Sequence, residues 1–281
     1  MMAARMIPDT VGELRKNEPM SRHTSCRVGG PAELCFRPAS VDDLSQFLAG
    51  LESDVPVFWF GLGSNLLVRD GGLPGVVIAA SGIFSALEQS GDFEATAGAS
   101  VPCTQLARQC IRWGLAPAEF FAGIPGTLGG ALAMNAGAHG GETWERVRSV
   151  TTIDRHGVLH TRSPDDYKIG YRSVDGPAGE WFVSAVLGFD PQATASMDDM
   201  KAMLERRKET QPLGLPSCGS VFRNPPGDHA ARLIESCGLK GCRIGDAEVS
   251  EKHANFIINR GEATALDVEN LILHVQHTVE D

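Results

Sequence analysis

The sequence predicts an α+β fold of more than one domain. Three features carry the expectation: strand and helix patterns alternate from Ala32 onward, two glycine-rich loops interrupt them, and the pattern turns helical near Met197 before a final capped amphipathic stretch.

The elements follow in order. The first twenty residues read as a lead-in, with a helical stretch expected around Gly12 to Lys16. Ala32 to Phe36 has strand character, Val41 to Gly50 suits a helix ending at a glycine, and Val55 to Phe60 reads as a buried strand. The loop Gly61-Leu62-Gly63-Ser64-Asn65 then departs from a Rossmann fingerprint: its sixth position is Leu66, and Leu67-Val68 continue apolar toward the turn Asp70-Gly71-Gly72. It is expected to form a strand–loop–strand cradle. Val76 to Ala80 and Phe93 to Ala97 are β-like, and Val101 to Trp113 is an amphipathic helix stopped by Gly114. Gly123 to Gly137 is too glycine-rich for a stable isolated helix. Strands are expected at Val147 to Asp154, Val158 to Thr161 and Trp181 to Phe189, and a helix from Met197 through Lys208. A domain boundary is placed near residue 190. Thr264-Ala-Leu-Asp267 opens the last helix as a capping box, and Val268, Leu271, Ile272, Val275 and Val279 form its apolar stripe.

Composition narrows the chemistry. With 281 residues, 42% apolar and 21% charged, the chain can bury a sizeable core. No run approaches the roughly 18 apolar residues of a membrane helix, and Met1 to Pro8 has no apolar signal region, so a cytoplasmic protein without a membrane partner is expected. A net charge of −10 argues against a nucleic-acid partner. Basic residues nevertheless gather late (Arg206, Arg207, Lys208, Arg223, Lys240, Arg243, Lys252), as a pocket for an anionic substrate would need. The seven cysteines include no Cys-x-x-Cys pair, so they read as ordinary thiols with no disulfide framework and no metal site. Cys218, without a paired histidine, reads as a packing residue.

The glycines of the two loops, Gly61/Gly63 and Gly123-Ile124-Pro125-Gly126-Thr-Leu-Gly129-Gly130, let backbone N–H groups approach an anion closely, as a nucleotide pyrophosphate requires. Ser220, beside the turn glycine Gly219, adds a proton carrier. Together they point to redox chemistry on a bound dinucleotide.

Six stretches in order along the chain resemble the UDP-N-acetylenolpyruvoylglucosamine reductases (MurB). They are His23-Thr-Ser-Cys-Arg-Val-Gly-Gly-Pro31, Gly61 to Val68, Gly123 to Gly137, Tyr171-Arg172-Ser173, Cys218 to Pro225, and Gly238-Leu-Lys-Gly241 through His253-Ala-Asn-Phe256. The resemblance implies an FAD-binding module of the vanillyl-alcohol-oxidase type with two α/β subdomains (residues 21–190, after a lead-in at 1–20) and a small C-terminal α/β substrate domain (191–281). The short connection after Pro225 resembles the compact subtype without an extra tyrosine-bearing loop. Noncovalent FAD is implied on Gly61, Leu62, Gly63, Ser64, Asn65 and Leu66, and on Gly123, Ile124, Pro125, Gly126, Gly129, Gly130, Ala131, Asn135, Ala136 and Gly137. The implied reaction passes a hydride from NADPH through the flavin to the enolpyruvyl ether of a UDP-linked sugar in peptidoglycan precursor synthesis, in a monomeric enzyme. Arg172 matches the stabiliser of the developing charge and Ser220 the proton donor; Tyr171, Lys208 and Asn224 match substrate-binding positions. The family's third catalytic residue is a glutamate in a strand after the last helix, whereas this sequence ends at Asp281 with Glu280 its nearest carboxylate. A truncated domain or an incomplete catalytic set is therefore expected. That departure favours a non-catalytic flavin-binding paralogue as the alternative, and the breadth of the FAD module a flavin oxidoreductase acting on another small acid.

Overall fold

The structure, a computed structural model, describes residues 7–281. By compactness it forms two units, each assembled from separated stretches. The first holds the stretch ending at Arg15, Cys35–Gly61 and Val76–Arg206; the second holds Lys16–Leu34, Leu62–Gly75 and Arg207–Asp281. Compactness thus divides the chain differently from a single cut near residue 190.

Strands β1 (Glu13–Pro19), β2 (Pro31–Arg37), β3 (Val57–Phe60) and β4 (Leu73–Ala79) form a sheet in the order β1-β2-β4-β3. Helix α1 (Val41–Gly50) follows β2; its Ser40 cap accepts from the Asp43 amide at 3.1 Å, and it buries Leu44, Phe47 and Leu48. Phe47 stacks on Phe36 with ring centroids 4.0 Å apart. Strand β3 runs parallel to β4, from Val57 beside Val76 to Phe60 beside Ala79. It is half-exposed rather than buried, since Phe58 retains 37% of its surface.

The helix expected around Gly12 to Lys16 is instead the start of β1. That stretch has no apolar stripe to bury as a helix, and Asp43 fixes its entry as extended chain by accepting from the amides of Val11 (2.8 Å) and Gly12 (3.0 Å).

The rest of the first unit surrounds an antiparallel sheet. Its elements are β5 (Leu87–Gly91), β6 (Glu94–Gly98), α2 (Cys103–Arg112), α3 (Leu128–Met134), the pair β7 (Gly137–Ala138) and β8 (Gly141–Glu142), β9 (Val147–Asp154), β10 (Leu159–Arg162), the pair β11 (Lys168–Gly170) and β12 (Ser173–Asp175), β13 (Glu180–Gly188) and α4 (Met197–Thr210). The sheet order is β10-β9-β13-β6-β5. Leu106, Cys110, Phe121, Leu128, Leu132, Val150 and Leu187 form its core. A helix does form within the glycine-rich stretch, because packing supplies what propensity withholds: α3 buries Leu128, Ala131 and Leu132, and a Cβ at Gly129 would sit 3.0 Å from that of Ala99.

The second unit continues with α5 (Ala230–Ser236), the meander β14 (Arg243–Ile244), β15 (Ala247–Val249) and β16 (Ile257–Asn259), and α6 (Ala265–Glu280). Both halves of the α6 capping box are made, and Val268, Leu271 and Val275 are buried with Ile272 and Val279 packed beside them. Glu248 is buried between the guanidinium groups of Arg243 and Arg260, which together with hydrogen bonding hold its carboxyl below the usual range against the effect of burial.

Candidate active site

In the first unit the site is built on the turn leading into α3. The Leu128 and Gly129 amides donate to the carbonyls of Val101 (2.9 Å) and Ala99 (2.8 Å), and the Gly126 carbonyl accepts from Cys103 (3.0 Å). These bonds fix residues 126–129 against the start of α2. A Cβ at Gly61 would lie 2.6 Å from Thr127 Oγ1, so glycine is what lets the first loop approach the second. Ile124 and Ala131 turn into the core, Pro125 is exposed, and a Cβ at Gly130 would meet no atom within 4 Å. Backbone on the outer side of the first turn of α3 is thereby open to a flat ligand, and these residues fit the cradle of a dinucleotide.

Helix α3 ends at Asn135, whose φ of +42° is the left-handed cap position that asparagine tolerates. Its side chain is buried and occupied: Nδ2 donates to Glu142 Oε2 (2.8 Å) and to the Gly170 carbonyl (3.2 Å), and Oδ1 accepts from the Trp144 amide (3.2 Å). Asn135 therefore organises the loop through its side chain rather than offering that side chain to a cofactor. Arg172 docks on the same turn, donating from Nη1 to the Asn135 carbonyl (3.1 Å) and from Nη2 to the Gly137 carbonyl (2.7 Å), with its guanidinium carbon 5.4 Å from the centre of the exposed Tyr171 ring. Carbonyls at a helix C-terminus are a natural seat for a cation. Nearby, the Tyr167 hydroxyl is buried without a hydrogen-bond partner among the described residues, and burial, then the charge of Glu180, pushes it up to about 12.

In the second unit, Gly63 turns with φ +62°; a Cβ there would fall 1.9 Å from the His23 carbonyl oxygen, so no other residue fits. The Gly63 carbonyl accepts from the Ser25 amide (3.0 Å). Ser64 is half-buried, and Leu62, Asn65 and Leu66 are exposed. The Leu66 carbonyl accepts from Cys218 Sγ at 2.8 Å. Two residues on, Ser220 bridges Phe256 in antiparallel fashion, and the adjoining chain is clamped by Asn255: its carbonyl accepts from Val221 N (3.0 Å), its Oδ1 from Phe222 N (2.8 Å), and its Nδ2 donates to the Phe222 carbonyl (2.8 Å). Ser220 is exposed.

Asn224 and Lys208 are not joined to this cluster. Asn224 Oδ1 accepts from the Ala230 amide (3.1 Å) at the entry to α5, and the exposed Lys208 offers its carbonyl to Lys252 Nζ. Within the first unit the structure thus gathers Gly61, Gly123 to Gly137, Tyr171 and Arg172; within the second it gathers Gly63 to Leu66 with Cys218 to Ser220. Sequence reasoning missed the roles of Glu142, Gly170 and Asn255. Only Asn255 carried a signal, through its place in His253-Ala-Asn-Phe256.

Comparison with known proteins covers most of the chain. Residues 32–163 match the family described as FAD binding domain, and residues 211–281 the UDP-N-acetylenolpyruvoylglucosamine reductase C-terminal domain. The chain is 63% identical to a UDP-N-acetylenolpyruvoylglucosamine reductase of Alkalilimnicola ehrlichii over 99% of this chain and 93% of that protein. It is 54% identical to one of Methylococcus capsulatus over 99% and 91% respectively. The crystal structure of the reductase from Thermus caldophilus superimposes with a TM-score of 0.82 at 33% identity, covering 96% of both chains.

Proposed function

The chain belongs to the UDP-N-acetylenolpyruvoylglucosamine reductase family, and from that membership we propose that Arg172 and Ser220 carry its chemistry on the enolpyruvyl ether of a UDP-linked sugar. It is an FAD-containing oxidoreductase of peptidoglycan precursor synthesis. Bound FAD would supply hydride chemistry, with NADPH as the source and the methylene carbon of the ether as the acceptor. The backbone of Gly61 to Leu66, and of Gly123 to Gly130 with Ala131 and Ala136, would hold that cofactor without a covalent bond, while Asn135 and Gly137 shape its wall.

Hydride arrival leaves negative charge spread into the substrate carboxylate, which calls for a fixed planar cation. The single observation that carries the reading is the Arg172 guanidinium fastened by two carbonyls at 3.1 and 2.7 Å on the turn that ends α3. Ser220 would give its proton to the carbon next to the reduced methylene. A serine is a weak acid, so the role requires a strongly basic intermediate and a hydroxyl held close; the Asn255 clamp supports the second condition. Tyr171, Lys208 and Asn224 would bind the substrate. Residues 21–190 would serve the cofactor and 191–281 the substrate, in a cytoplasmic monomer without a nucleic-acid partner; no helix among the described residues is long and apolar enough to cross a membrane.

The test is NADPH oxidation by the purified flavoprotein with and without the enolpyruvyl nucleotide. Oxidation that depends on the nucleotide and yields its lactyl ether is expected. Equal rates with and without it would overturn the reading.

A further inference from the structure

Two thiols meet at one carbonyl in the second unit. Cys218 Sγ lies 2.8 Å and Cys26 Sγ 3.6 Å from the Leu66 oxygen, and Cys218 Sγ is also 4.0 Å from the Gly63 oxygen. Cys26 is buried, with its own carbonyl held by Asn259 Nδ2 at 3.1 Å, whereas Cys218 is half-buried beside Gly219, whose φ is +76°. All seven cysteines are thiols rather than disulfides. The two sulfurs flank the Leu66 oxygen and hydrogen-bond to one another, and the glycine next to Cys218 gives its chain room to adjust.

We propose that Cys26 and Cys218 form a reversible redox site, oxidised by hydrogen peroxide to a disulfide that slows the enzyme. The pair is chemically graded for this. Both thiols face the Leu66 carbonyl, Cys218 at the shorter distance, and Cys218 also hydrogen-bonds to the Cys26 sulfur. The hydrogen bond from Cys218 lowers the Cys26 thiol against the effect of burial, and the same contact, with burial, pushes Cys218 up. Two neighbouring thiols, one lowered by the other, are the arrangement of an attacking and a resolving cysteine. Cys103 and Cys110, by contrast, are pushed up to about 12 by burial and are inert.

The electrons balance in two steps. The Cys26 thiolate attacks one peroxide oxygen, the O–O bond breaks, and the departing hydroxide takes a proton to become water, leaving a sulfenic acid. Cys218 then displaces that hydroxyl, which leaves as water with the Cys218 proton while the S–S bond forms. In sum two thiols lose two electrons and two protons, and one peroxide becomes two waters. The disulfide takes away the S–H donor from the Leu66 carbonyl in the first glycine loop and ties the chain two residues before Ser220 to Cys26. The effect on turnover rests on the assignment of Ser220; formation of the bond does not.

The experiment treats the FAD-loaded full chain with a small molar excess of hydrogen peroxide, blocks the remaining thiols and maps peptides without reduction. A single Cys26–Cys218 linked pair is expected. Reoxidation of the reduced enzyme by the enolpyruvyl nucleotide should slow by roughly tenfold or more. Dithiothreitol should restore it, as it would not after methionine oxidation. The Cys218→Ser variant should form no linked pair and keep its rate under peroxide. Two outcomes overturn the inference: Cys26 and Cys218 both still alkylatable after treatment, or a linked pair with an unchanged rate. Should the untreated enzyme fail to turn over, the assigned reaction falls, while the peptide map and the temperature of FAD release, followed by flavin fluorescence, still decide the redox site.

Discussion

Arg172 shows how much one residue's setting determines its use. Its φ of +53° is uncommon outside glycine and asparagine, and its two hydrogen bonds to the Asn135 and Gly137 carbonyls hold the fork in one plane. A lysine brings one compact ammonium that cannot span both carbonyls or meet a carboxylate bidentately. Arg172→Lys is therefore expected to lower kcat more than it raises KM in steady-state assays with the enolpyruvyl nucleotide. A variant with parental kcat and weakened KM would make Arg172 a binding residue instead. Ser220→Ala separates the two halves of the cycle: flavin reduction by NADPH should keep its parental rate, and stopped-flow reoxidation by the nucleotide should fall roughly 10²–10⁴-fold, the worth of a placed general acid. Parental reoxidation would remove Ser220 from the mechanism.

Among the elements, α1 owes its place to a carboxylate that reaches outside it. Asp43 accepts from Thr10 Oγ1 (2.7 Å) and from the amides of Val11, Gly12 and Ala39, fixing the entry to β1 as extended chain. Burial pushes this carboxyl up, but those hydrogen bonds together hold it below the usual carboxylate range. Because the folded value is the lower one, the carboxylate's contribution to stability is full above the unfolded value of about 4 and is lost as pH falls from there through the folded value. Thermal melts of the parent should show that acid-side loss, and Asp43→Asn should be less stable at neutral pH with a flatter profile below pH ~4; parallel profiles would contradict it. The same clamp explains what the sequence hid. Val41 to Gly50 was legible because Ser40 and Gly50 punctuate it locally, and Val147 to Asp154 because it is rich in β-branched Val, Thr and Ile. Nothing near Gly12 announces that Asp43, 31 residues away, will hold it straight. Strands of two or three residues such as β14 and β16 are too short for any period to register. At the candidate site, the glycine loops and Ser220 stood out in the motifs, and Arg172 through the family resemblance alone. Glu142 and Asn255 are ordinary polar residues until folding sets them against Asn135 and Phe222, seven and 33 positions away.

For the molecule as a whole, an FAD-binding fold implies that cofactor and protein stabilise one another by mass action. Acid or heat should release the flavin into the supernatant, since the loops offer backbone donors and no linking residue; flavin retained in the precipitate would show a covalent bond. Added FAD should raise the melting temperature of stripped protein in a concentration-dependent way, and a concentration-independent melt would argue against noncovalent FAD binding to the folded chain. The second unit carries a further consequence, set by the order in which the ribosome delivers its parts. Asp70 accepts from the amides of Ala265 and Leu266 at 2.9 Å each, and Arg69 pairs with Glu269 at 2.7 Å, partners 195 to 200 positions apart. At roughly 5–20 residues per second, a nascent chain waits tens of seconds between making Asp70 and making the helix that Asp70 caps. Throughout that interval Cys26 and Val28 have no α6 to pack against, so that edge of the second unit's core stays open to solvent until α6 is made.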